Sequence, residues 1–564
     1  MPTLHFKGKT FVQNHHLAVK YHQLVPKKEL SLTDKVSLHD NLIIQGDNLK
    51  ALKALLPTYA GKVKCIYIDP PYNTGNEGWI YNDNVSSPLI KEWLGKVVDK
   101  EDLTRHDKWL CMMMPRLKLL RELLDENGVI FISCDDNELY NLRVLLEEIF
   151  VEDNWVGTII WRNVTDNNPT NIAIEHEYIL CFAKNKEALE PIWKSKISDA
   201  KEKLIEIGLN LGKENKSQEK LQEAYTTWFR ENKLFLGQLD RYKYIDKDGV
   251  YTGSQSVHNP GREGYRYDVI HPITKKPCKQ PLMGYRFPET TMKELLDNKK
   301  ILFGEDETKI IELKVYAKDY EDKLPSVIQL DGRLGSYDLK DIFPENKKSF
   351  DNPKPVQLIK QILSYLISKE DIILDSFAGS GTTAHAVLDL NKEDGGNRKF
   401  ILIEQQDYAN SITAERVRRV IKGVKTSKNE TLKKGLGGSF SYFELGDTIE
   451  MESLLRGKNL PSYTEFARYL FYTATGEEFN EKAINEKTGF IGESKNYEVY
   501  LFYKSELDWL KKNALTLEIC KSLPKFKNKQ RLVFAPAKYV DDHTLLDYRI
   551  DFCQLPYEIY RIQR

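Results

Sequence analysis

Neither sign of charge is in excess in this chain: 83 Lys and Arg stand against 83 Asp and Glu, for a formal net charge of zero. Bulk charge therefore announces no polyanionic ligand, and any basic surface must be local, with compensating acids elsewhere. No CxxC pair occurs among Cys65, Cys111, Cys134, Cys181, Cys278, Cys520 and Cys553. Their scattered, often apolar settings favour reduced core residues over a disulfide frame or a zinc site, and no metal is expected. No run approaches the roughly 18 apolar residues of a membrane span, and the N-terminus has no apolar signal core, so a soluble, cytoplasmic chain is expected. Internal repeats, low-complexity segments, a Walker A lysine motif and a nuclease signature are all missing.

What is present is an interrupted alternation. At 564 residues the chain exceeds one compact core, and about two to four domains are expected. Residues 1–40 read as an N-terminal arm. From Leu42 short apolar runs alternate with helical spacing: Leu42–Ile44, a helix over Leu49–Leu56, Val63–Ile68, a helix over Trp109–Asp125 stopped by Asn127-Gly128, then Val129–Ser133, a helix over Glu138–Ile149, and strands at Val156–Trp161 and Tyr178–Phe182. The pattern breaks near residue 185. Residues 196–234 are Lys/Glu-rich and read as one or two solvated helices, and 240–345 turn to Tyr, Gly, Pro and Arg. The alternation resumes with a helix over Lys354–Ile367, a strand at Ile372–Leu374, a helix over Thr382–Leu390 and a strand at Lys399–Ile403. The expected organisation is an arm (1–40), one half of an α/β domain (41–185), an inserted module (186–349), the other half (350–446) and a mixed α+β C-terminal domain (447–564).

Two loops carry the chemistry. Val63–Ile68 delivers Asp69-Pro70-Pro71-Tyr72, and Ile372–Leu374 delivers Asp375-Ser376-Phe377-Ala378-Gly379-Ser380-Gly381. Each has the form of a binding loop at the carboxyl end of a parallel strand, where open α/β sheets place ligands. Methylating an exocyclic amine needs acceptors for its two N–H bonds, and the Asp69 carboxylate and the Pro70 carbonyl can supply them. Tyr72 offers a flat face for an extruded base. The bland alternative for the four residues alone is a plain strand-to-turn connection, the weaker of the two readings. The glycines let a ligand approach the backbone at a helix N-terminus. No Lys follows the second of them and no third glycine completes a dinucleotide fingerprint, so phosphate binding is a poorer reading. Glu404, ending the next strand, is placed to accept from ribose hydroxyls, or is simply a solvated strand-end acid.

These residues resemble the amino-methyltransferase family of S-adenosylmethionine-dependent DNA enzymes. Asp69–Tyr72 is similar to its catalytic motif, in the Asp form typical of adenine-N6 enzymes. Asp375–Gly381 is similar to its cofactor motif, and Phe350-Asp351-Asn352-Pro353-Lys354-Pro355 to the segment preceding it. The resemblance implies that Asp69, Pro70, Pro71 and Tyr72 are catalytic. It implies cofactor contacts at Asp47, Asn352, Lys354, Asp375, Phe377, Gly379, Gly381 and Glu404, with Asn352 and Lys354 by the methionine end. Having the catalytic motif first is the permuted order of the β group, whose target-recognition domain lies between the two motifs. His15-His16-Leu17, the stretch from Asp69 to Asp83 and Leu555–Tyr560 further resemble modification subunits of Type III restriction–modification systems. That implies a Rossmann-like, doubly wound methyltransferase sheet, duplex DNA as substrate, a homodimer and a separate ATP-dependent restriction (Res) subunit.

Between Tyr251 and Thr290 six basic residues, Arg262, Arg266, Lys275, Lys276, Lys279 and Arg286, face three acids. Tyr265, Tyr267, Tyr285, His258 and His271 are interleaved with them. Such a stretch suits DNA reading, with Arg262, Arg266, Lys275, Lys276 and Arg286 as candidate contacts, or is a solvated loop-rich subdomain. Trp79 and Tyr81 are either DNA contacts or local core. The polar turn Asn163–Asn171 is a candidate neighbour of the flipped base. The expected activity is adenine-N6 methylation of duplex DNA at a specific site. An orphan adenine-N6 or N4-cytosine enzyme, and a specificity subunit that binds DNA without catalysing, remain open.

Overall fold

The computed structural model describes residues 4–75, 102, 104–164, 171–195, 199–214, 217–236, 239–259, 261, 263–320, 322–345, 350–449, 460–477, 479–524 and 529–555. They form two compact units, Met1–Pro191 with Pro325–Leu363 and Ile367–Arg564, and Ile192–Leu324 with Ser364–Leu366. Among the described residues no helix is long and apolar enough to cross a membrane. All seven cysteines are buried and free.

Ten described strands of the first unit make one sheet: β1 (His22–Pro26), β2 (Leu42–Gln45), β3 (Val63–Ile68), β4 (Leu124–Cys134), β5 (Trp155–Arg162), β6 (His176–Ala183), β7 (Val327–Gln329), β8 (Ile372–Asp375), β9 (Lys399–Glu404) and β10 (Ser441–Thr448). Their spatial order is β1-β10-β2-β9-β8-β3-β4-β6-β5-β7. The central run from β10 to β4 is parallel throughout, whereas β6 runs antiparallel to both its neighbours. The central strands are near-continuous runs of Ile, Leu and Val, as strands covered on both faces require. Ile66, Ile68, Ile130, Ile132, Leu374, Ile401 and Ile403 share one buried core with Leu52, Trp109, Met113 and Leu117 of the connecting helices.

Those helices are α1 (Asn48–Tyr59), α2 (Arg105–Leu123), α3 (Leu139–Phe150), α4 (Arg333–Ile342), α5 (Val356–Ser364), α6 (Thr382–Asp394) and α7 (Glu415–Lys422). Asp47 caps α1 by accepting the Lys50 N–H at 3.0 Å. The chain runs β3-α2-β4 in one direction and β8-α6-β9 in the other, and β3 pairs directly with β8, Leu374 opposite Ile66. Strand order therefore reverses between β3 and β8, the kind of crevice in which open α/β sheets bind ligands.

The sheet crosses three of the boundaries drawn from sequence. Residues 1–40 are not a separate arm, because β1 is an edge strand paired antiparallel with β10. The expected break between 446 and 447 cuts β10. The inserted module does not reach 349, since β7 pairs with β5 and the second unit leaves the main stretch at Leu324. Asn127-Gly128 does not end a helix: α2 stops at Leu123, Leu124 is extended, and both residues belong to β4. The last turn expected before Ile367 is not part of α5, which spans Val356–Ser364.

The second unit has a four-stranded sheet, Ile301–Leu302, Glu312–Tyr316, Gly249–Ser256 and Tyr244–Asp246 in that order. Two of its helices, Asp199–Glu214 and Gln218–Leu236, bury Leu204, Leu221, Tyr225 and Phe229. Near the C-terminus a second four-stranded sheet orders Phe490–Glu493, Tyr497–Leu501, Gln530–Ala535 and Ile550–Gln554, the last three parallel. The helix Tyr463–Thr475 is opened by a capping box between Ser462 and Glu465.

Candidate active site at the ends of two neighbouring strands

Because β3 and β8 are adjacent and parallel, Asp69 and Asp375 leave the sheet at the same edge, although most of the chain's length separates them. The polypeptide after Asp69 is fixed from behind. The Trp109 indole N–H donates to the Pro71 carbonyl at 2.7 Å. Asn73, at φ 60, donates to the buried Glu138 carboxylate. The same Glu138 oxygen meets His106 Nδ1 at 2.7 Å, so one carboxylate ties the residue after Tyr72 to the start of α2. Burial pushes Glu138 above the usual carboxylate range.

On the other loop the Asp375 carboxylate faces its own chain. It accepts the Phe377 N–H at 3.0 Å and the Thr383 hydroxyl at 2.6 Å. Burial raises it to about 7 against these two bonds. Gly379 and Gly381 have φ of 52° and 81°, and a side chain at either would press on Phe350 or on the Thr413 carbonyl. Glu404 accepts the Gly379 N–H at 2.8 Å and the Gln406 N–H at 3.0 Å, and burial raises it above its ordinary range. It is buried and bonded, not a solvated acid, and the Gln405 N–H and the Tyr408 hydroxyl also bond to it. Asp47 spends one oxygen capping α1, while its other lies 4.0 Å from Arg116. Phe377 is half-buried beside these groups, and Asn352, at φ 49, is exposed.

Lys354 joins the two loops. Its carbonyl accepts the Thr382 hydroxyl at 3.1 Å, on the glycine-loop side. Its side chain runs to the other loop, with the ammonium 3.0 Å from Asp69 Oδ1, 3.2 Å from Glu177 Oε2 and 2.9 Å from the Tyr72 hydroxyl. Burial alone would lower the ammonium, but the two carboxylates outweigh it and hold it above its ordinary range. The resemblance puts Lys354 by the methionine end of the cofactor; in the structure its ammonium lies on the catalytic motif.

Several residues at the site carry no sequence signal of their own. Glu177 is the second residue of β6, one residue before the strand expected from the sequence. Asn163, at the start of the polar turn, donates to Glu177 Oε1 at 2.6 Å. Arg416 is fully buried and donates to the hydroxyls of Ser380 and Thr382, both at 2.8 Å.

The remaining candidates belong to the second unit and are described by themselves. Arg266 is half-exposed, donating to the Leu282 carbonyl and lying 3.6 Å from Glu263. Lys276 pairs with Glu307 at 3.2 Å, Lys275 has φ 59, and Arg286 is exposed with its guanidinium over Phe287. Tyr285 and His271 are fully buried, Tyr285 stacking on Tyr267 and His271 accepting backbone N–H groups of its own turn. They are packing residues rather than DNA contacts. Arg262, Trp79, Tyr81 and the segment Tyr557–Tyr560 lie outside the described residues.

A family model described as DNA methylase, for N6 and N4 methyltransferases, matches residues 63–415. The Type III restriction-modification enzyme EcoP15I Mod subunit of Escherichia coli is 54% identical over 375 residues, 64% of this chain and 58% of that protein. The StyLTI Mod subunit of Salmonella typhimurium is 33% identical over 422 residues, covering 70% and 57% of the two chains. The EcoPI Mod subunit of Escherichia phage P1 is 30% identical over 459 residues, covering 74% and 67%. The matched region thus spans under two thirds of the first two relatives. Matching both loops and the strands that deliver them, this chain belongs to the N6/N4 DNA methylase family.

Proposed function

We propose that this chain methylates the exocyclic N6 of a flipped adenine in duplex DNA, at a specific site, as the modification subunit of a Type III restriction–modification system. The observation that carries the reading is the adjacency of β3 and β8, which brings Asp69-Pro70-Pro71-Tyr72 and the Gly379–Gly381 loop to one crevice. The crevice fits S-adenosylmethionine: Glu404 supplies acceptors for ribose hydroxyls, and the glycines leave room against the backbone beside Phe350. Gly379, Gly381, Phe377, Asp47 and Glu404 would hold that cofactor, with Asp375 shaping the loop. Bound there, it supplies an electrophilic methyl group on a positively charged sulfur.

The chain's own residues prepare the acceptor. An adenine amino group is a weak nucleophile because its lone pair is delocalised into the ring. Asp69 and the Pro70 carbonyl, each accepting one N–H, favour a pyramidal nitrogen whose lone pair points away from the base. Positive charge grows on that nitrogen as the bond forms, and the Asp69 carboxylate stabilises it. Tyr72 presents its ring to the base plane.

The Mod names of the relatives support a restriction subunit supplied by another chain, and the same reading includes a homodimer. Expression in a methylation-free host, with modified bases mapped by long-read sequencing, tests base, site and strand together. N6-methyladenine at one motif is expected, and its disappearance in Asp69→Ala with cofactor binding retained. N4-methylcytosine, or DNA binding by wild type without transfer, would replace this reading. Sedimentation and co-purification with a Res chain test the partners.

A further inference from the structure

The Asp69 carboxylate, which the proposed reaction needs free to accept an amine, is already engaged by the Lys354 ammonium at 3.0 Å. Among the described residues no other donor is seen on that carboxylate, so it is left open when Lys354 moves. Glu177 is different. It receives the same ammonium at 3.2 Å, and it is also held by Asn163 at 2.6 Å and by the Tyr72 hydroxyl at 2.8 Å. One carboxylate thus depends on the lysine, and the other keeps its place without it.

The surroundings of the ammonium suit a base. The Tyr72 and Trp161 ring centroids lie 4.8 Å and 5.6 Å from the Lys354 nitrogen, and Trp161 is fixed by donating its indole N–H to the Leu330 carbonyl at 2.9 Å. An N–H donor 3.0 Å from Asp69 is also what the target amine must become. The two donors compete for one acceptor.

We propose that Lys354 is a displaceable cation that occupies the target-amine position on Asp69 until a base enters, and that Glu177 is the positioning residue that retains it afterwards. The inference rests on the methyltransferase reading above. Lys354 turns from Asp69 onto Glu177, the amine takes the vacated oxygen, and the ammonium stays paired throughout. Its charge therefore never has to be buried alone, which would be costly. Keeping the lysine in the pocket leaves it one negative charge in excess, from two carboxylates and one ammonium, which complements a positively charged methyl donor. The carbonyl of Lys354, tied to Thr382 at the glycine loop, anchors the side chain's base on the cofactor side of the crevice.

The test uses the full chain with a duplex carrying its mapped site and 2-aminopurine directly beside the target adenine, which keeps its N6 amine; the probe's fluorescence rises when its flipped neighbour leaves the stack. Lys354→Met should flip the base at about tenfold lower protein concentration than wild type, with affinity for S-adenosylmethionine changed much less. Lys354→Arg, whose fork spans both carboxylates, should flip less, and it keeps the test open should the Met variant not fold. Glu177→Gln should raise the KM for DNA about tenfold in the wild-type background and have no such effect beside Lys354→Met. A Glu177→Gln effect of equal size in both backgrounds would make Glu177 merely structural. Weaker cofactor binding by Lys354→Met, with flipping unchanged, would make Lys354 a cofactor ligand. Either result overturns the proposal. Wild type that transfers methyl while Lys354→Met flips no better sinks this inference alone; wild type that transfers none sinks the methyltransferase reading too.

Discussion

Arg416 and Thr382 are joined by a 2.8 Å hydrogen bond from a guanidinium that has no exposed surface. Arg416 sits near the start of α7, directly after the π-helical turn Ala409–Ala414, and Thr413 of that turn donates to the Gly379 carbonyl at 2.5 Å. The glycine loop is therefore held from behind by two successive turns of one helix. π-Helical turns recur at functional sites, and here the turn sets the spacing that lets Thr413 and Arg416 reach the same loop.

Replacing Arg416 by Met keeps length and removes the donors. Ser380 and Thr382 lose their buried partner, and the Asp338 carboxylate loses a favourable charge. We expect a stability loss of about 2–4 kcal/mol, read by denaturant unfolding. S-adenosylmethionine affinity should fall at least about tenfold, measured by calorimetry. Unchanged affinity in a folded variant would show that the loop does not need this support.

Trp109→Phe tests the other loop. It keeps an aromatic ring, deletes the N–H bond to the Pro71 carbonyl and leaves a cavity where the rest of the fully buried indole stood. Stability should drop by about 2–3 kcal/mol. Because Pro71 neighbours the reacting group, methyl-transfer kcat should fall while cofactor affinity stays near wild type. A fall in cofactor affinity of the same size would place the indole in the cofactor half instead.

Gly335→Ala probes the segment carrying Lys354. A Cβ on Gly335 would run into the Pro353 carbonyl oxygen, a backbone atom that cannot swing aside. Either α4 or Pro353-Lys354 must shift, at a cost of about 1–3 kcal/mol. Thermal unfolding should show the loss, and methyl transfer should fall by more than stability accounts for. Retention of full activity would show that α4 yields rather than the segment.

The parts of this site legible in sequence were those with a local pattern. Val63–Ile68 followed by Asp69-Pro70-Pro71-Tyr72, and Ile372–Leu374 followed by two spaced glycines, combine a buried-strand run with turn residues that mean the same thing in any fold. The permuted order of the two motifs also anticipated that β3 and β8 belong to one sheet. Lys354 carries a motif signal, but its contact with Asp69 carries none, because a long side chain reaches wherever an acceptor lies. Glu177, Trp109 and Arg416 act through contacts with residues far away in sequence, and nothing adjacent to them marks that. β1 was missed for a similar reason: its partner β10 is more than four hundred residues away, and a five-residue edge strand has little pattern of its own.

Asp375 gives a pH signature with a definite sign. Burial raises its carboxyl from an ordinary 3.8 to about 7 in the folded chain, so the folded state holds a proton that the unfolded state has already released. The folded state binds more protons between these two values, and stability from this group falls as pH rises from about 4 to about 7, then levels off. Asp375→Asn has no such proton to lose; its amide oxygen can still accept the Phe377 N–H, and its NH2 can donate to the Thr383 hydroxyl instead of accepting from it. The difference in Tm between Asp375→Asn and wild type should therefore move in the variant's favour from pH 5 to pH 8, read by calorimetric scans in matched buffers. A difference independent of pH would mean that Asp375 is ionised throughout this range, and that the two hydrogen bonds outweigh its burial.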